Sequence, residues 1–278
     1  LVLHCTASGI SGKSLELDLT ARESLIFRSP MGKGFRMRST RPRTSERDYP
    51  GSLEVRRAGG AFLLVATVPL EEYVAGVVQS EAGKGHDIEY YKLQAVSCRT
   101  YALANARRHA GEGFEVCDGT HCQVFKGRNT LDTIRQAVAL TRDLVVVDAN
   151  IQLIHATFHS NCGGETMDAQ DLWSQSEPYL VSTTDTFCLH SPHATWRKAV
   201  LRSTWLAYLK NSFGVPTDNP AVAEQFSNDV PVCRDIYLAN GLPEVPVEKV
   251  RADMGFRSTF FSMRSVGDSV IFDGRGFG

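Results

Sequence analysis

Residues 68–81, VPLEEYVAGVVQSE, then a link containing Gly83 and Gly85, then KLQAVSCRTY at 92–101 decide the fold. In the first half Leu70, Tyr73, Val74, Val77 and Val78 fall at i, i+3, i+4, i+7 and i+8. That spacing predicts one apolar face of a helix, with Pro69 suited to its first turn. The two glycines end the helix, which sets Glu81 at or just past its C-terminal end. Acids are rare there, because the partial negative charge of a helix end opposes a carboxylate and favours its protonated form. A carboxylic acid held neutral near pH 7 is what a general acid must be. Glu81 is therefore the first candidate for chemistry; a solvated glutamate after a helix is the plainer alternative.

The second half predicts a longer helix. Asp87 suits its N-cap, Leu93, Val96, Thr100, Leu103 and Ala104 make a stripe, and Arg107, Arg108 and His109 suit its last turn before Gly111. The short link folds the two helices into a hairpin. Arg99 on the second helix either reaches toward Glu81 or is a surface charge.

Working outward, further blocks follow in a fixed order. PLEEYV-x-GVV-x-SE at 69–81 is followed by LQAV-x-x-RTYA at 93–102, CQVF-x-G at 122–127 and AV-x-x-T at 137–141. S-x-CGG-x-T at 160–166, Trp173 and PYL at 178–180 complete the series. This pattern, from about residue 60 onward, resembles the stage II sporulation protein D family, whose wider membership includes the amidase enhancers. The resemblance implies a bacterial cell-wall protein, exported to the periplasm or cell envelope. For the sporulation branch it implies a lytic transglycosylase cleaving the β-1,4 bond between N-acetylmuramic acid and N-acetylglucosamine. Glu81 would be the single acid/base. Gln94, Arg99, Tyr101, Gln123, Ser160, Gly163, Gly164 and Thr166 would orient the sugar, and Tyr179 or Trp173 would pack on a ring. The muramic acid 6-hydroxyl is the nucleophile in such a reaction, so the carboxylate pair of hydrolytic glycosidases is not needed. Peptidoglycan glycan strands and a wall amidase are the implied partners. A non-catalytic amidase enhancer using the same residues is the alternative.

The bulk properties agree with a folded enzyme or binding protein. A chain of 278 residues with 42% hydrophobic and 22% charged content can bury a sizeable core. A net charge of −1 gives no reason to expect nucleic acid or an anionic surface as partner. No apolar run approaches the ~20 residues needed to cross a bilayer. The chain starts at Leu1 and ends at GRGFG, 274–278. The start at Leu1 and not Met leads us to expect an upstream leader, and the family resemblance implies a glycine-rich block continuing from the GRGFG end.

The expected class is α+β, a mixed β-sheet core with a helical hairpin that carries the site. Residues 1–58 form a β-rich N-terminal region and 59–278 the family domain. Leu15, Leu17 and Leu19 alternate with polar residues, and Leu25-Ile26-Phe27 suits another strand, whereas the arginine-rich stretch 36–50 reads as a loop. Residues 61–66 read as a buried strand. Residues 144–147 and 151–159 read as a strand pair turning at 148–150, with His155, Thr157 and His159 on one polar face. The loop 160–166 that follows carries paired glycines, which let backbone amides approach a ligand, or simply make a turn. Helices are expected over 133–140, 203–213 and 246–253, and a hairpin across Gly267-Asp268.

Two cysteine groups stay open. Cys117, His121 and Cys122 can supply two or three ligands to a structural zinc, which wants four; a Cys117–Cys122 disulfide is the alternative. Cys162 can be a nucleophile served by His155, His159 or His190, or the partner of Cys188 in a disulfide. Cys98 reads as a buried thiol. No cofactor beyond a structural zinc is implied.

Overall fold

The sequence folds as an α+β chain whose strand pairings are all antiparallel among the described residues. The structure is a computed structural model. It describes residues 2–278 apart from 7–8, 14–17, 22, 30–32, 41, 59–60, 174–175, 233–235 and 238–241. Two compact units result, Leu1–Thr157 and Phe158–Gly278.

In the first unit β1 (Val2–Thr6), β2 (Gly9–Lys13) and β3 (Asp18–Ala21) form one small sheet. Of the Leu15/Leu17/Leu19 alternation, Leu15 and Leu17 lie outside the described residues. A second sheet has the order β4-β7-β8, from β4 (Ser24–Arg28), β7 (Ser52–Ala58) and β8 (Ala61–Thr67). The pairing Ser52↔Thr67 through Ala58↔Ala61 runs across the residue 58/59 boundary and joins the N-terminal region to the strand that leads into the helices. β8 is an edge strand with no fully buried residue, unlike the buried strand its apolar run suggested.

The arginine-rich stretch read as a loop instead holds β5 (Phe35–Met37) paired with β6 (Arg47–Tyr49). Phe35 stacks on Tyr49 with ring centroids 5.3 Å apart, while Arg36 between Phe35 and Met37 points to solvent. The arginines masked an alternation only three residues long.

α1 (Leu70–Ala82) buries Val74, Val77 and Val78 completely, each contributing about 1.5–3 kcal/mol. It ends at Gly83, whose φ of 75° and ψ of −149° a side chain would oppose. α2 (Ile88–Ala104) starts at Asp87, whose carboxylate accepts from the Tyr90 amide as expected. Its buried residues are Tyr91, Ala95, Cys98, Arg99, Thr100, Tyr101 and Ala102; of the expected stripe Thr100 is fully buried, whereas Leu93 is 64% exposed and Leu103 42%. Small residues face the neighbouring helices because α2 packs closely against both α1 and α3 (Asp132–Leu140). Arg107, Arg108 and His109 lie beyond its end. Buried Tyr91 pins the link, its hydroxyl donating to the Gly83 carbonyl and accepting from the His86 amide. The strand pair expected over 144–159 is reduced to one isolated bridge, Val147↔Leu153.

In the second unit the sheet order is β10-β13-β14-β9, with β9 (Thr195–Leu201), β10 (Asp229–Val232), β13 (Phe261–Val266) and β14 (Ser269–Arg275). α5 (Arg202–Phe213) lays Trp205 and Leu209 against Phe272 and Val270 of β14, and Gly214 caps it in the left-handed conformation. The core also takes Val222 of α6 (Pro220–Gln225) and Val250 of α7 (Val247–Met254). Short α4 (Ala169–Trp173) and the pair β11 (Ile236–Tyr237) with β12 (Val245–Pro246) complete the unit.

Candidate functional site

Three consecutive side chains at the end of α1 stitch the irregular segment 122–130 to the helix. Gln79 Oε1 accepts from the Thr130 amide at 2.6 Å, Ser80 Oγ from the Lys126 amide at 3.1 Å, and Glu81 Oε1 from the Val124 amide at 2.7 Å. The segment comes this close because Gly76, one turn earlier, has no side chain: a Cβ there would lie 2.4 Å from the Phe125 ring and 2.4 Å from the Gly127 carbonyl oxygen. On its other side the segment is held by β6, where the Arg128 amide donates to the Asp48 carbonyl. Glu81 itself is exposed, and its Oε2 has no hydrogen-bond partner among the described residues. The other acids of α1 are engaged: Glu71 with Arg99, and Glu72 with Arg128. The result is one acid fixed through one oxygen, with the other open.

Two residues before Val124 the same segment enters a cluster of metal-binding groups. His109, Cys117, His121 and Cys122 bring their donor atoms within 4.8 Å of one another. Cys122 Sγ lies 3.4 Å from His109 Nε2 and 3.6 Å from His121 Nδ1, and Cys117 Sγ lies 3.8 Å from His121 Nδ1. Zinc bonds of about 2.0–2.3 Å at tetrahedral angles set neighbouring nitrogen and sulfur ligands about 3.5 Å apart. The donor set therefore fits zinc in number, type and spacing. Glu112 Oε1 sits 2.5 Å from His109 Nδ1, which orients that ring with Nε2 toward the cluster. Arg108 faces His121 Nε2 at 3.3 Å and must turn aside when Nδ1 binds an ion, because that tautomer carries its hydrogen on Nε2. His121 and Cys122 reach a common point despite being neighbours. His109 was not among the sequence candidates. Its signal was an i,i+3 Glu112 partner just past a helix, too common to select it.

Residues 58–147 match the family model described as Stage II sporulation protein, a span covering α1, α2, the stitched segment, the cluster and α3. The chain carries a stage II sporulation protein D domain. It is 27% identical over 284 residues to "Stage II sporulation protein D" of Bacillus subtilis (strain 168), covering 96% of this chain and 77% of that protein. Against the protein of the same name from Bacillus amyloliquefaciens it is 26% identical, covering 84% of this chain and 70% of the relative. A shorter likeness, 34% over 111 residues, links it to the "Amidase enhancer" of Bacillus subtilis (strain 168), covering 40% of this chain and 15% of that protein.

Within the sporulation protein D domain several sugar-binding candidates turn out to hold the scaffold. Arg99 is 1% exposed and makes two hydrogen bonds to the Glu71 carboxylate, at 2.9 and 2.7 Å, and one to the Leu144 carbonyl. It neither reaches Glu81 nor lies on the surface. Tyr101 is buried beside the His/Cys cluster, accepting from Arg108 and donating to the His121 carbonyl. Gln123 is also buried: Tyr73 donates to its Oε1, and its Nε2 has no partner among the described residues. Gln94 is half-buried, with the Cys98 thiol against its Oε1. Cys98 is a buried thiol, pushed up to about 12 by burial, with the Glu81 charge adding to the shift.

The remaining candidates belong to the second unit. Ser160 is exposed. The Gly163 amide donates to Asn161 Oδ1 and the Gly164 amide to Cys162 Sγ, so these two amides serve the loop's own turn. Thr166 pairs with Thr183 in both directions. Tyr179 is half-buried, and the Trp173 side chain lies outside the described residues. Cys162 contacts Asp185 instead of a histidine, and burial together with Cys188 pushes its thiol up to about 11. With Asp185 and not a histidine hydrogen-bonded to its thiol, Cys162 lacks the Cys–His pairing on which the cysteine-hydrolase reading rested. Cys162 and Cys188 are thiols in this structure.

Proposed function

We propose that this chain is a lytic transglycosylase of the bacterial cell wall, using Glu81 as its single acid/base. The observation that carries the reading is the fixing of Glu81 through Oε1 to the Val124 amide while Oε2 stays open. In the protonated state Oε2–H donates its proton to the glycosidic oxygen as the bond between N-acetylmuramic acid and N-acetylglucosamine breaks. The resulting carboxylate then takes the proton of the muramic acid 6-hydroxyl, whose oxygen bonds to the anomeric carbon. The products are a 1,6-anhydro end and a free N-acetylglucosamine end, with no water consumed. The commitment of Glu71 and Glu72 to arginines supports a one-acid mechanism over the paired carboxylates of glycosidases. The relatives' names, which speak of sporulation and of enhancing an amidase, support a cell-envelope location outside the cytoplasm and a wall amidase as partner. We place one structural zinc on His109, Cys117, His121 and Cys122, with no part in the proton transfer.

The test compares wild type and Glu81→Gln on peptide-free glycan strands, reading products by mass spectrometry. Glutamine keeps an oxygen that accepts from Val124, so the variant should melt with the wild type while losing anhydro ends. Products from both proteins would remove Glu81 from its role. Binding of strands without products from either would leave the amidase-enhancer reading. For the zinc, His109→Ala should release the ion as completely as Cys122→Ser. A metal-free protein with a Cys117–Cys122 crosslink would reject it.

A further inference from the structure

We infer that Cys162, Asp185 and Cys188 form a second cation site, for a divalent ion of the zinc class, independent of the cluster in the first unit. The three donor atoms converge: Cys162 Sγ and Cys188 Sγ lie 3.3 and 3.4 Å from the same oxygen, Asp185 Oδ2, and all three fall within 4.8 Å of one another. Zinc bonds of about 2.3 Å to sulfur and about 2.1 Å to oxygen, at the tetrahedral angle, set such a sulfur–oxygen edge at about 3.5 Å.

The surroundings hold the donors in place. Asp185 Oδ1 accepts from the Phe187 amide at 3.0 Å, which leaves Oδ2 as the oxygen facing the sulfurs. The Gly164 amide donates to Cys162 Sγ at 3.4 Å, an approach that needs the φ of 103° at Gly164 and that favours a thiolate. The Asp185 amide donates to the Gly164 carbonyl, and the Asn161 side chain donates to the Cys188 carbonyl. Supporting contacts of this kind orient ligands and raise affinity.

The carboxylate separates this reading from a disulfide. A disulfide would draw the sulfurs to about 2.05 Å from each other and leave Asp185 Oδ2 without both of its donors. A cation uses all three groups, and its fourth position stays open to water or a ligand oxygen. With three donors this site binds more weakly than the four-donor cluster.

Reduced, metal-stripped protein titrated with Co²⁺ tests the assignment, counting equivalents by thiolate-to-cobalt absorption. Wild type should take two; Cys188→Ser should keep only the first-unit ion and Cys122→Ser only the second. Asp185→Asn retains both thiols, so it should weaken the second equivalent about tenfold or more without changing the melting temperature of the cobalt-free protein, and it would not prevent a disulfide. A single equivalent in wild type, abolished by Cys122→Ser, overturns the site. So does a second equivalent indifferent to Asp185→Asn, or a Cys162–Cys188 crosslink whose reduction restores no cobalt binding.

Discussion

Removing the carboxylate of Glu71 should damage the first unit more than removing the charge of Arg99. The guanidinium is 1% exposed, whereas the Glu71 side chain is 26% exposed. In Glu71→Gln the cation stays buried, with one neutral amide and the Leu144 carbonyl in place of a bidentate carboxylate. Stranding a buried charge costs about 3–5 kcal/mol, and the remaining amide oxygen brings this to about 3. In Arg99→Met the carboxylate can turn to water and the methionine fills most of the volume, leaving chiefly the Leu144 carbonyl unpaired, about 1–2 kcal/mol. For a unit of this size each kcal/mol moves the midpoint about 2–4 °C, so Glu71→Gln should lower the first unit's melting by about 6–12 °C and Arg99→Met by about 2–8 °C. Calorimetry reads the midpoints, and the double variant should resemble Arg99→Met, because no cation remains to be stranded. An Arg99→Met protein less stable than Glu71→Gln would refute the reasoning. So would an Arg99→Met protein of wild-type stability that has lost glycan binding, since that outcome returns Arg99 to the sugar.

Gly76→Ala should lose about 1–3 kcal/mol from overpacking against Phe125 and Gly127, partly offset by the better helix propensity of alanine. Because the displaced segment carries Val124, product formation should fall about tenfold or more, measured beside the melting curve. Asp273 is held below its ordinary value of 3.8, first by its hydrogen bond from Arg197 and then by Arg264. Its contribution is therefore present above that ordinary value and is lost as pH falls through the lowered one. The melting difference between wild type and Asp273→Asn should be constant well above that ordinary value and shrink as pH falls through the lowered one.

The elements that sequence patterns exposed were those with strong punctuation. Asp87 as N-cap, Gly83, Gly214 and Gly255 as helix ends, and the turn at Gly267-Asp268 each fix backbone geometry locally, so neighbours do not matter much. On α2 Thr100 was read correctly as buried, but Leu93 and Leu103 were misread, because packing against two helices selects small residues such as Ala95 and Ala102 where hydrophobicity alone points to leucine. Arg99 was misread because its partner is 28 residues away, where no spacing rule reaches. For the site, Glu81 stood out by its place at a helix end. Its hold on Val124 and the arrival of His109 beside Cys122 are tertiary facts created by an irregular segment. The strand pair over 144–159 failed because a single bridge gives no ladder for alternation to act on.

Cys122 and Val124 are separated by a single residue, so the ion proposed for the cluster and the acid on α1 share one short strut of backbone. An enzyme built this way would be inhibited by chelators and revived by zinc, the usual signature of a metalloenzyme, although no metal would ever touch the sugar. The diagnostic is the pattern of recovery. Spectroscopically different ions of similar size should restore the same turnover, because a strut needs the right length, whereas a Lewis acid at the reaction centre would imprint its own acidity on the rate.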